Sequence, residues 1–248
     1  MIDPVIWLID SETGEDIPVH YSELEDEAKS QLFSRPLGGF CFPANLFMQK
    51  QLPEVPFYIK DWLPKRGKSL LFAPAKAGKS TVSVQLARCI GAGEPFLGKP
   101  TTLGRVLYIQ AELGEEILQA RLKETGKDYE NVFVGTSFSI KLDSLAGQAT
   151  LTRALEAIKP NVLILDPYYK MILGDENEAS DAIKILDFLD TLIEGFNCSI
   201  LIIHHSGKDI SKRGRGTSVL EDWVDSYIQM QPSNKAGEGL RVKIKPIF

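Results

Sequence analysis

The sequence predicts an α/β fold with a mostly parallel central sheet, and three observations carry that prediction. From Lys68 onward, short apolar runs alternate with amphipathic segments, the order that places helices between parallel strands. Residues 162–165 and 200–203 are apolar at every position, as strands covered on both faces are. The first run leads directly into Ala73-Pro74-Ala75-Lys76-Ala77-Gly78-Lys79-Ser80. Apart from Ala73 in place of the first glycine, this is the phosphate-binding loop pattern, set between a strand and a helix as it should be.

Taken in order, residues 1–60 read as an acidic N-terminal appendage and residues 61–248 as one domain. In the appendage, residues 5–9 form an apolar run suited to a strand, and residues 21–33 suit an acidic helix with Ser22 as its N-cap. Pro36, Gly38, Gly39, Pro43, Pro53 and Pro56 make residues 35–56 an irregular connection. Beyond it, strands are expected at 69–73, 105–110, 131–135, 162–166 and 199–204, with helices at 79–91, 115–125, 146–158 and 179–195 between them. Residues 226–230 and the alternation of Leu240, Val242 and Ile244 with Arg241, Lys243 and Lys245 predict a C-terminal antiparallel hairpin. Phe248 follows it so closely that a fragment of a longer chain is one reading.

Composition narrows the class. The 248 residues are 44% hydrophobic and 25% charged, near the globular average and away from disordered or fibrous chains. No apolar stretch approaches the roughly 20 residues of a membrane span, and no basic-then-apolar leader opens the chain. Cys41, Cys89 and Cys198 are far apart, without the spacing of a zinc cluster or disulfide framework. A soluble, cytoplasmic protein is the expectation. Of the formal charge of −5, residues 10–30 hold eight acids against Lys29, leaving 27 basic and 25 acidic residues elsewhere. The acidic total therefore does not exclude a nucleic-acid partner, because binding follows clustered charge.

The motifs fall beyond the carboxyl ends of the expected strands, where open parallel sheets bind ligands. Backbone N–H groups of Ala75, Lys76, Ala77, Gly78, Lys79, Ser80 and Thr81 would face a β-phosphate, favoured by the helix dipole. Lys79 would neutralise the β- and γ-phosphates and Ser80 would offer a hydroxyl to magnesium. Ala73 requires a negative φ, which Pro74 favours by pressing it toward extended backbone. A second signature lysine five residues before Lys79 would mark partition-type ATPases, but position 74 is proline. Asp166 closes an apolar strand and would stand near the metal; the plainer alternative is a turn aspartate before Pro167. Glu112, just past the strand 105–110, would polarise the attacking water, or else is a solvent-facing acid ahead of the next helix. His204 and His205 are adjacent on a strand and so point to opposite faces, one toward nucleotide as a γ-phosphate sensor and one into packing. Residues 206–216 carry Lys208, Lys212, Arg213 and Arg215 against Asp209, a basic loop suited to a nucleic-acid backbone, to a neighbouring subunit's nucleotide, or only to solvent.

From these residues the chain resembles the RecA-like ATPases of the AAA_25 group, typified by RepA-type hexameric replicative helicases. The likeness runs from about residue 68 to 230. It rests on the loop ending Gly78-Lys79-Ser80, the strand Leu107-Tyr108-Ile109-Gln110-Ala111-Glu112, Leu165-Asp166-Pro167-Tyr168-Tyr169-Lys170 with the acidic segment 174–181 after it, the His204-His205 pair, and residues 213–220. The resemblance implies a RecA-like P-loop NTPase core that uses ATP and Mg2+. Glu112 takes the catalytic position, Asp166 that of the Walker B acid, and the histidines that of the sensor. It also implies a homo-oligomeric ring in which Arg213 or Arg215 acts in trans, with single-stranded nucleic acid, DNA first, as partner. The appendage, residues 1–60, lies outside the resemblance and suits a protein partner. The functional expectation is a nucleic-acid-dependent motor. The alternative is a KaiC-like ATP-dependent regulatory switch; a small-molecule kinase would want an arginine-rich lid that the sequence lacks.

Overall fold

A computed structural model of the protein describes residues 5–9, 16–26, 42–52, 54–74, 77–126, 128–136, 140–174, 178–205, 215–232 and 240–246. The chain divides into two units, Met1–Glu54 and Val55–Phe248. In the first, β1 (Val5–Ile9) pairs antiparallel with β2 (Asp16–His20), Val5 opposite His20 and Ile9 opposite Asp16. The expected acidic helix is corrected at its start: Tyr21–Glu23 is a single 3-10 turn with Ser22 inside it, and α-helical backbone is reached only at Asp26. Residues 27–33 fall outside the described residues. A helical turn, Ala44–Phe47, interrupts the proline-rich connection.

The second unit opens with the short antiparallel pair β3 (Phe57–Ile59) and β4 (Leu63–Pro64). There follow β5 (Lys68–Ala73), α1 (Lys79–Ala92), β6 (Val106–Gln110), α2 (Glu115–Thr125), β7 (Val132–Thr136), α3 (Leu145–Ile158), β8 (Val162–Asp166), α4 (Ala179–Phe196), β9 (Ser199–His205), α5 (Arg215–Trp223), β10 (Ser226–Pro232) and β11 (Leu240–Pro246). Strands β5 to β11 form one sheet in the order β11-β10-β5-β9-β8-β6-β7. Six strands are parallel, and β11 alone runs antiparallel, against β10. The C-terminal hairpin is therefore part of the main sheet, because β10 also pairs with β5. Helix α5 was not expected: Arg215 and Gly216, read as loop, form its first turn.

Apolar side chains fill both faces of the central strands. On one face Leu71, Tyr108, Ile164 and Ile203 pack with Val84 and Ile90 of α1 and Leu118 of α2. On the other, Leu70, Leu163, Leu165 and Ile202 pack with Leu151 of α3, Leu189 of α4 and Leu220 of α5. Alternation along each strand produces this two-sided core, and the polar residues that matter sit where the strands end. Among the described residues, no helix is long and apolar enough to cross a membrane.

Candidate nucleotide-binding site

Strand β5 delivers the chain to the phosphate-binding loop. Ala73 is its last residue, paired in register with His205, so the alanine sits in extended backbone that tolerates a Cβ. The glycine the loop requires is Gly78, whose φ of 81° lies in the left-handed region. An added Cβ there would meet nothing within 4 Å, so backbone conformation rather than space selects glycine. The Ala77 N–H donates to the Pro74 carbonyl at 3.3 Å. Lys79 opens α1, is 5% exposed, and donates from Nζ to the carbonyls of Ala73 at 2.7 Å and Pro74 at 2.9 Å. Burial pushes its pKa down, against the pull of the Asp166 and Glu112 carboxylates. Ser80 and Thr81 complete the first turn, Thr81 exposed. Ala75 and Lys76 lie outside the described residues.

Asp166 ends β8 directly beside Gln110 in the register of β6. It is 2% exposed. Its Oδ1 stands 3.5 Å from the Ser80 hydroxyl and its Oδ2 accepts the Tyr108 hydroxyl. Burial raises its pKa, while the Tyr108 and Ser80 hydrogen bonds oppose the shift. Glu112 is exposed just beyond β6, and its Oε1 accepts from the Tyr169 hydroxyl at 3.3 Å. Lys79, Ser80 and Asp166 are thus brought together, with Glu112 near enough to act on the Lys79 charge.

The histidines differ. His204 is 6% exposed and makes an edge contact with Tyr168 at 6.5 Å between ring centroids. It is in register with Phe72, which belongs to the core face away from α1. His205 is the last residue of β9, in register with Ala73. Lys208, Lys212 and Arg213 fall outside the described residues, and Arg215 is placed as the first residue of α5.

Residues 40–211 match the AAA_25 family model, an AAA domain. The chain belongs to this family. The fold of this RecA-like P-loop ATPase is similar to that of a KaiC-like protein of the hyperthermophilic archaeon Pyrococcus horikoshii OT3, with a TM-score of 0.57 and 18% identity over 76% of this chain and 82% of that one. No curated protein matches the sequence.

Three site residues of this ATPase were missed in the sequence: Tyr108, Gln110 and Tyr169. The signal for the first two was present, since two polar residues spaced by two in an otherwise apolar, two-sided strand fall on one face. The donor set also fits a magnesium ion. A serine hydroxyl and a carboxylate oxygen converge, the oxygen ligands a hard cation prefers. Among the described residues no three His, Cys, Asp or Glu side chains cluster as a metal cage.

Proposed function

We propose that this ATPase is a motor that acts on nucleic acid, a replicative helicase or an associated ATPase of a plasmid, phage or mobile element. The observation that carries the hydrolytic part is the convergence of Lys79, Ser80 and Asp166, with Glu112 beside them, at one end of the sheet. In this reading residues 75–81 cradle the triphosphate of ATP and Lys79 neutralises the β- and γ-phosphate oxygens. Ser80 and Asp166 hold Mg2+, which when bound offsets charge on those oxygens. Glu112 orients the attacking water and takes up its proton. His204 packs against Tyr168, so the γ-phosphate sensor role falls to His205. Subunits assemble as a ring, and Arg213 or Arg215 reaches the nucleotide of the next subunit.

The basic residues Lys208, Lys212, Arg213 and Arg215 follow β9 in the sequence, and in this reading they supply the contact to single-stranded DNA. Adding single-stranded DNA to the full chain is expected to stimulate ATP turnover. A second reading, a KaiC-like regulatory switch, is favoured by the likeness to the KaiC-like fold and by the acid-rich residues 10–30, suited to a protein partner. Turnover unchanged by any single strand, DNA or RNA, would overturn the motor in favour of the switch.

A further inference from the structure

Beneath the acids runs a continuous chain of hydrogen bonds, half-buried at the Glu112 backbone and buried from Gln110 inward. The backbone N–H groups of Glu112 and Leu113 both donate to Gln110 Oε1, at 2.7 and 3.2 Å. With two donors converging on its oxygen, the Gln110 amide is oriented, and its Nε2 donates to the Tyr108 hydroxyl at 3.3 Å. A hydroxyl that accepts there has its own proton to give, and Tyr108 gives it to Asp166 Oδ2. Tyr108 and Gln110 are each 1% exposed, so water cannot replace a lost partner, and removing one link strands a buried polar group. The Glu112 side chain is itself exposed. It accepts from the Tyr169 hydroxyl at 3.3 Å, while the backbone that carries it is held by Gln110.

We propose that Tyr108 and Gln110 are positioning residues for hydrolysis, tying the backbone at Glu112 to the carboxylate of Asp166 so that the water-polarising acid and the acid of the metal site are held as a unit. Both side chains lie in the strand that carries part of the family resemblance, where neither is given a role. The proposal rests on the reading of Glu112 given above.

The test uses the full chain with Tyr108→Phe and Gln110→Met, each near the parent volume. In nucleotide-free protein, amide hydrogen exchange at Glu112 and Leu113 should accelerate about 10-fold or more in Gln110→Met, and to a smaller extent in Tyr108→Phe, because protected N–H groups lose their acceptor or its anchor. Turnover should fall about 10- to 100-fold, as loss of an outer-shell partner commonly does, while affinity for a fluorescent ATP analogue changes by less than about 3-fold. Gln110→Glu keeps the acceptor for both N–H groups, and its exchange should stay within about 3-fold of the parent. On a Glu112→Gln background, Tyr108→Phe should cost less than about 3-fold more, since residues acting as a unit are not additive.

A purely structural role would lower melting temperature and leave turnover per folded molecule intact. That result, or parental exchange at Glu112 and Leu113, overturns the proposal. If Tyr108→Phe does not fold, the Gln110 pair decides alone: equal exchange at Glu112 and Leu113 in Gln110→Met and Gln110→Glu overturns it. A Glu112→Gln variant that keeps turnover overturns the reading of Glu112 and the proposal with it. An inactive Glu112→Gln beside a fully active Tyr108→Phe overturns the proposal alone.

Discussion

Lys79 and Asp166 are 5% and 2% exposed, and burial moves both toward their neutral forms, the lysine pKa down and the aspartate pKa up. A folded-state carboxylate pKa above its unfolded value means that ionisation opposes folding: the penalty is absent at low pH and appears as pH rises through the folded pKa. Asp166→Asn should therefore melt about 2–4 °C higher than the parent at pH 7, the shift that about 1 kcal/mol gives a chain of this size. That advantage should shrink as pH is lowered through the raised pKa of Asp166, and thermal melts over a series of pH values from 7 downward, without nucleotide, check it. The same variant should lose hydrolysis, because the charge that burdens the fold is the charge a metal ion would need. A parent more stable than Asp166→Asn at pH 7 would mean that the Tyr108 and Ser80 hydrogen bonds outweigh desolvation. At Lys79 the expectation is simpler. Lys79→Ala should abolish nucleotide binding or hydrolysis, since among the described loop residues no other cation is placed to neutralise the β- and γ-phosphates; undiminished turnover would remove the phosphate-loop reading.

Elements were legible where both faces of a strand are buried. Residues 162–165 and 200–203 announce themselves because every position is apolar when helices cover both sides, and the structure gives β8 and β9 around them. Legibility failed where a local signal interrupted the pattern. Pro18 interrupts the strand signal of residues 16–20, and proline is confined to edge strands, which is what β2 is: Pro18 stands opposite Trp7 in a two-stranded sheet. Gly214 and Gly216 punctuate the basic segment, which hid the start of α5 at Arg215. The candidate site was legible at strand ends; within β6 the sequence shows only that Tyr108 and Gln110 share a face, and their partner follows once β8 is placed beside them. At the segment joining β9 to α5, the functional readings part. If Lys208 and Lys212 contact a nucleic-acid backbone, replacing both by alanine should weaken single-strand binding and reduce the slope of log K against log salt by about 1.4, two contacts at roughly 0.7 each. Binding titrations at several salt concentrations check this; an unchanged slope removes these lysines from the interface.

At the scale of the whole molecule, the site as built by one chain has a lysine, a hydroxyl and two acids, but no arginine among the described residues is bonded to them. A phosphoryl-transfer site commonly gains a cation that stabilises the transition-state charge, supplied in cis or by a neighbouring protein. Arg213 and Arg215 follow the strand that ends at His205, and the ring reading assigns one of them to the next subunit's nucleotide. The arginine that acts in trans should, as Arg213→Ala or Arg215→Ala, leave ATP binding intact and slow hydrolysis about 10³-fold or more. Its decisive property is complementation. A Lys79→Ala subunit has a dead phosphate loop and an intact arginine, so beside an arginine-variant subunit it completes the variant's loop. With random assembly at equal concentrations, half the sites carry a live loop and half of those receive an arginine. About one quarter of parental activity per site should return, although each variant alone is inactive. Activity measured across mixing ratios should peak at the equal mixture and fall toward both ends. The arginine whose variant is rescued is the one that crosses the interface, and a flat, inactive profile for both would remove the trans-acting arginine and leave the single chain to hydrolyse ATP with its own side chains.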